Sequence, residues 1–121
     1  MNIIFGDAVN QLPSNYIVLE LDTFLIKPMN TQITTWCVVE SVPMTELVQL
    51  DTNKKLHSDL MVEYRAQNWN KCLEIIESLK GLWQGEVDSF YDEIKKRISE
   101  YKENSPEPGW DGTVIKHAVP S

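Results

Sequence analysis

Apolar residues recur at every second position in the front third of the chain and at every third or fourth position after it, so the pattern predicts strands followed by helices. Ile3-Ile4-Phe5 reads as a short strand that ends at Gly6-Asp7, and Gln11 to Asn15, around Pro13, is turn material. Tyr16 to Lys27 is rich in β-branched and aromatic residues, with Ile17, Leu19 and Leu21 on one face. Phe24 and Ile26 continue on the other parity, so the alternation slips near Asp22-Thr23, where a bulge would re-aim the second half of the strand. Lys27-Pro28-Met29-Asn30 is a turn, with Pro28 presetting φ and Asn30 tolerating an unusual one. Thr31 to Glu40 then places Ile33, Thr35, Cys37 and Val39 on one face and Trp36 and Val38 on the other. The two runs predict an antiparallel hairpin. Such a hairpin is marginal in water alone, so it needs cover, either from helices or from edge pairing with a second copy.

After Ser41-Val42-Pro43 the period becomes helical. Leu47 and Leu50 open a stripe that Leu56, Leu60 and Tyr64 continue, with Met61 alongside; Asp51-Thr52-Asn53 either interrupts this helix or restarts it, with Asp51 or Thr52 as N-cap. A second helix starts near the N-cap Asn68 and carries Cys72, Ile75, Ile76, Leu79 and Trp83 on one face, ending among Gly81 to Gly85. A third runs from about Glu86 to Tyr101, with Val87, Phe90, Tyr91, Ile94, Ile98 and Tyr101 as its stripe. Asp92/Lys96 and Glu93/Arg97 are i,i+4 pairs in the favoured order. Asn104-Ser105-Pro106 stops it, and the tail is extended, with Thr113 to Lys116 as a candidate closing strand.

Composition narrows the function classes. The chain has 121 residues and 42% hydrophobic content, enough for one core, with regions at 1–43 (β) and 44–121 (helical) forming one unit. Its net charge of −7 disfavours phosphate backbones and anionic lipid, so neither nucleic acid nor membrane is an expected partner. No apolar stretch is long enough to span a bilayer and Met1-Asn2-Ile3 opens no secretory signal, so the expected location is cytoplasmic. Cys37 and Cys72 read as small core residues, and His57 and His117 have no ligand-spaced partners, so no metal site and no cofactor are expected.

Four local patterns then occur in one order. These are Gly6-Asp7-Ala8-Val9-Asn10, the run Leu19 to Lys27 followed by Trp36 to Glu40, the segment Tyr64-Arg65-Ala66-Gln67-Asn68-Trp69, and Trp110-Asp111-Gly112. Together they resemble the C-terminal part of class III adenylate/guanylate (nucleotidyl) cyclases: the G-D-x-V-N segment, the final hairpin, and the Y-R-x-x-x-W and W-D-G of the helical tail many bacterial members carry. The resemblance implies an α+β fold: a small N-terminal antiparallel sheet of two to three strands, three helices in a tetratricopeptide-like arrangement, and an extended tail. Asn68, Trp69, Cys72, Ile76 and Leu79 fit tetratricopeptide spacing, although the helices amount to about one and a half repeats where arrays need about three.

The departures from the family bear on chemistry. The resemblance places the family's metal-binding aspartates and base-reading lysine before Met1. Asn10 matches its conserved-motif asparagine, but Ile3 stands at the base-choosing position and Ser14 at that of the transition-state arginine. Nucleotidyl transfer depends on positioned metal ions and cationic donors, so no enzyme is expected and Asn10 is vestigial. The expected function is a catalytically inactive cyclase-derived module for association with a protein partner or with itself in signalling. The alternatives are a half-site acting in trans with a full-length cyclase through Asn10, or a fragment of one. Tyr64, Trp69, Trp83 and Trp110 are the candidate anchors: each either faces a partner or staples the helices, with Trp110 as a clamp on the tail.

Overall fold

A computed structural model describes residues 1–40 and 42–117; Ser41 and the tail end 118–121, which fall within the expected pattern change and extended tail, lie outside the described residues. The chain is α+β. Strand β1 (Asn2–Phe5) leads through a 3-10 turn (Gly6–Gln11) to β2 (Ile17–Lys27) and β3 (Thr31–Val39). Helices α1 (Met44–Leu47), α2 (Leu50–Arg65) and α3 (Trp69–Leu79) follow, then a second 3-10 turn (Trp83–Gly85), α4 (Asp88–Glu103) and strand β4 (Thr113–His117). The sheet is four-stranded and mixed, in the order β1-β3-β2-β4, rather than an antiparallel sheet of two to three strands. The tail supplies the additional strand: β4 runs parallel to β2, from Thr23↔Thr113 to Lys27↔His117. The sheet therefore draws on both ends of the sequence.

β2 and β3 pair antiparallel across the turn at 28–30, where the Lys27–Pro28 bond is cis and Asn30 has φ 56°. Their register shifts between Glu20 and Thr23, so Leu21 and Asp22 together face Thr35. A bulge of this kind turns two successive side chains to one side. Leu21 and Asp22 are accordingly both buried, and Phe24 resumes on the parity that the sequence shows. The Thr35 hydroxyl donates to the Asp22 carbonyl at 3.0 Å, satisfying a backbone group at the irregularity.

Leu19, Leu21, Cys37 and Val39 form the sheet's share of the core, against Leu60, Met61 and Tyr64 of α2, Cys72, Ile75, Ile76 and Leu79 of α3, and Phe90, Tyr91, Ile94 and Ile98 of α4. Burial pushes the Cys37 thiol up to about 11 and the Cys72 thiol up to about 12, as expected of unreactive core thiols. On the other face, Val38 is also buried. β1 and β2 both run antiparallel to β3 and flank it, so the connection through the first 3-10 turn must cross β3, against which that turn packs.

Several local expectations need correction. α2 begins at Leu50, after a break at Val48–Gln49, so neither Asp51 nor Thr52 is its cap; Asp51 sits in the first turn, where its charge suits the helix dipole. Asn68 precedes α3, but its side-chain amide donates to Glu63 at 2.6 Å instead of capping. Trp83 is not on α3: Lys80 is extended and Gly81 has φ 86°, which ends the helix before it. The indole is nonetheless buried, held by left-handed backbone at Trp83 and Gln84 that costs roughly 1–2 kcal/mol per residue and is offset by the apolar surface buried. Asp92 pairs with Lys80 rather than Lys96.

Arg97 of α4 ties this helix to the bulge. Its guanidinium donates two hydrogen bonds to the Asp22 carboxylate, at 2.8 and 3.0 Å, and a third to Glu93 at 3.3 Å. Burial opposes the guanidinium's charge, and the bonded Asp22 carboxylate more than restores it, raising its pKa above the ordinary arginine value. Arg97→Met would strand Asp22 in the interior and should cost about 3–5 kcal/mol in urea unfolding. The double variant Asp22→Leu/Arg97→Met should recover much of that loss; equal stability of wild type and Arg97→Met would show that the pair does not hold α4 to the sheet.

Candidate functional site

β1 is an edge strand. Ile3 lies opposite Cys37 and Phe5 opposite Thr35, so both point to the sheet face that the helices cover. Cys37 and Thr35 are buried, yet Ile3 is 44% and Phe5 63% exposed, because the helical layer stops short of β1. An apolar groove of about 360 Å³ remains between β1 and α4. Met1, Ile3 and Phe5 form one wall, Ser89 and Phe90 the other, and the Asp22–Arg97 pair reaches it from the bulge. The register along Asn2–Phe5 is regular, and the strand carries no charged side chain and no proline. Natural edge strands usually carry such guards against pairing.

Three of the four aromatic candidates converge elsewhere. Tyr64 ends α2 and Trp69 begins α3, with ring centroids 5.9 Å apart, edge to face. Trp110 returns from the proline-rich turn to within 5.3 Å of Tyr64 and 5.9 Å of Trp69. Tyr101, read from sequence only as part of a helix stripe, completes the cluster by stacking on Trp69 at 5.4 Å and contacting Trp110 at 5.2 Å. The rings pack on one another, so they staple three helix ends and the tail. Gly112 has φ +91° and runs so close to α2 that a Cβ there would lie 3.0 Å from Arg65 Cγ, which accounts for the glycine after Trp110-Asp111. The Tyr64 hydroxyl is buried and lacks a hydrogen bond of acceptable geometry; burial pushes its pKa up, and the nearby Arg97 guanidinium pulls against that.

Trp83 belongs to a separate polar chain in the core. Its Nε1–H donates to the Tyr91 hydroxyl at 3.2 Å, and that hydroxyl lies 2.9 Å from His57 Nδ1. His57 Nε2 lies 2.6 Å from the Glu20 carbonyl, which can only accept. The proton is therefore on Nε2, Nδ1 accepts from Tyr91, and Tyr91 accepts from Trp83. Every member is satisfied. Burial lowers the His57 pKa to about 4, so the imidazole is neutral at pH 7. Beside it lies a cavity of about 280 Å³ bordered by Trp36, Lys54, Ser58 and Arg65, with Arg65 committed to the Glu20 carboxylate. Sequence reasoning passed over His57 because it sought ligand spacing. The usable signal was its place in the buried row Asn53, His57, Leu60, Met61, Tyr64.

Asn10 is exposed on the first 3-10 turn, Ser14 is exposed in the following connection, and Ile3 sits on the sheet edge. Comparison with protein-family models, with curated proteins and with solved structures finds no match to this chain. None of the described helices is long and apolar enough to cross a membrane.

His57 makes stability depend on pH with a definite sign. Its folded pKa of about 4 lies below the ordinary 6.5, so on acidification the unfolded chain takes up a proton that the folded chain refuses. The stability is complete above about pH 6.5 and falls as the pH drops towards 4, by on the order of 3 kcal/mol. Thermal unfolding followed across this range should show the slope, and His57→Gln, which cannot titrate, should flatten it while lowering stability at pH 7. An unchanged slope in that variant would assign the effect to other groups.

Proposed function

We propose that the chain is a catalytically inactive, cyclase-derived association module in signalling, which binds a protein partner or itself through edge strand β1 and the groove between β1 and α4. The observation that carries this reading is the exposure of Ile3 and Phe5 beside cross-strand neighbours, Cys37 and Thr35, that are buried. Apolar surface gathered on an edge that lacks charged side chains and proline is characteristic of interaction sites, whereas scattered apolar residues are not. The helix pair α2–α3, joined through Gln67 in a left-handed conformation and stapled by Tyr64 and Trp69, supports the tetratricopeptide-like reading of the second region.

The non-catalytic part is supported by Ile3 and Ser14, which offer neither a base-reading hydrogen bond nor a cation at the positions the cyclase resemblance marks. Incubation with Mn-ATP or Mn-GTP should yield no cyclic nucleotide; product above the enzyme-free blank would overturn it. For the association part, the native chain in an extract of its own cells should elute from a sizing column well ahead of a monomer. The exposed-site variant Ile3→Lys/Phe5→Lys should elute as a monomer with unchanged circular dichroism. Identical monomeric elution of both chains would remove the association reading.

A further inference from the structure

The cavity beside His57 lies where the sheet is left incomplete. β4 pairs with β2 only from Thr23 onward, so before the bulge the outer edge of β2 has no described strand beside it. Helix α2 stands there instead, with His57 Nε2 donating to the Glu20 carbonyl at 2.6 Å. Neighbouring strands lie roughly 4.7–4.9 Å apart, whereas a helix with its side chains is roughly 10–12 Å across and cannot follow a strand edge so closely. The space left between them is the cavity of about 280 Å³. Sites for drug-sized ligands run from roughly 300 Å³ upward, so this one suits a small molecule.

Leu19 and Met61 are its buried floor and Trp36 a half-buried wall. Lys54, Ser58 and Val62, spaced four residues apart along one face of α2, are its exposed rim. The polar groups divide into those already committed and those without a partner. Both His57 nitrogens are satisfied, and the Glu20 carboxylate is bound by the Arg65 guanidinium. Asp111 shares a neighbouring polar hollow with that pair, so Arg65 is amply matched by carboxylates. Among the described residues, Lys54, Ser58 and the Trp36 indole make no side-chain hydrogen bond or ion pair, whereas the adjacent Lys55 is bound to Asp59 at 2.9 Å.

The unpartnered groups are therefore an ammonium, a hydroxyl and an indole N–H beside an apolar floor. All three donate, and only the hydroxyl also accepts. A ligand that matches them brings acceptor oxygens, negatively charged for Lys54, on a flat apolar body that can lie against Trp36. A cation would meet Lys54 and find Glu20 already taken. The chain's net charge of −7 repels anions at long range, so recognition comes from these contacts and the affinity is modest.

We infer that this cleft binds a small aromatic carboxylic acid, its carboxylate on Lys54 and Ser58 and its ring over Leu19 and Met61 against Trp36. The cleft shares no lining residue with the β1–α4 groove, so it goes beyond the association reading and does not depend on it.

Three probes of one shape and different charge test it on the full chain: 2-naphthoate, the neutral 2-naphthamide and the cationic 2-naphthylmethylamine. Binding and its place are read from nitrogen-15 NMR spectra, where the Trp36 indole reports on the cleft and the indoles of Trp69 and Trp110 serve as controls. 2-Naphthoate should shift the Trp36 indole and the Ser58 and Val62 amides to saturation, leaving the two control indoles in place. The neutral amide should bind about tenfold more weakly, and the amine more weakly still. Lys54→Met, a change at an exposed position, should bring 2-naphthoate down to the level of the amide and leave the amide itself unchanged.

Equal binding of all three probes, or an unaltered 2-naphthoate affinity in Lys54→Met, would overturn the assignment of an acid held by Lys54. Absence of saturable shifts, or shifts that map to other residues, would overturn the site itself.

Discussion

Two residues of β2 face one residue of β3 at Leu21–Asp22, and this places a carboxylate on the inner face of the sheet, beside Thr35 and the apolar Leu19, Leu21, Cys37 and Val39. A buried carboxylate is tolerated only when paired and hydrogen-bonded, so the bulge demands a cation from whatever packs on it. Arg97 supplies it with a two-point contact that fixes direction as well as distance. α4 is thereby placed over β2. Its Phe90 and Ser89 then form a wall standing away from β1, and the groove is the space left between them. The bulge, the ion pair and the groove are consequences of one extra residue in a strand.

A second constraint holds the tail. Tyr64, Trp69, Tyr101 and Trp110 come from three helix ends and the segment after α4, and their mutual contacts direct the chain past Gly112 into β4. β4 then covers the half of β2 beyond the bulge, pairing from Thr23 to Lys27. Lys116 lies 5.9 Å from the centre of the Phe24 ring, a cation–π contact that draws the strand's side chain over the sheet. The sheet's two edges therefore differ in kind. One belongs to a strand fixed by an aromatic cluster, and the other is the short, uncharged β1.

The parts of the structure visible in the sequence were those encoded by local period. The parity slip at Asp22-Thr23 coincides with the register shift, and the stripe Phe90, Tyr91, Ile94, Ile98 is the buried face of α4. The fourth strand was not legible as a partner of β2, because a parallel pairing between distant segments leaves no mark in either. Arg97 was visible only as the i,i+4 partner of Glu93, and nothing near it in sequence points to Asp22. Trp83 fitted the period of α3 and was misplaced because the left-handed Gly81 ends that helix first. At the candidate site, the anchors came from aromatic residue type. Tyr64, Trp69 and Trp110 do meet, but against one another, whereas Ile3 and Phe5 gave no signal beyond a short strand, since exposure depends on where helices stop.

That difference bears on how such a surface can exist without endangering the fold. The buried cluster runs from Leu19, Leu21, Cys37 and Val39 into the three long helices and includes no residue of β1. The stabilising interactions, including the Asp22–Arg97 pair and the His57–Tyr91–Trp83 chain, also lie outside β1. An edge strand that contributes little to the core can exchange its outer neighbour, or lack one, without loss of the rest. Substitution at Ile3 or Phe5 is therefore separable from stability, while the same change at Leu21 or Cys37 is not. The cost of leaving β1 open is exposure of apolar surface to unwanted strands, and the shortness of β1, four residues, limits how much of such a strand can pair with it.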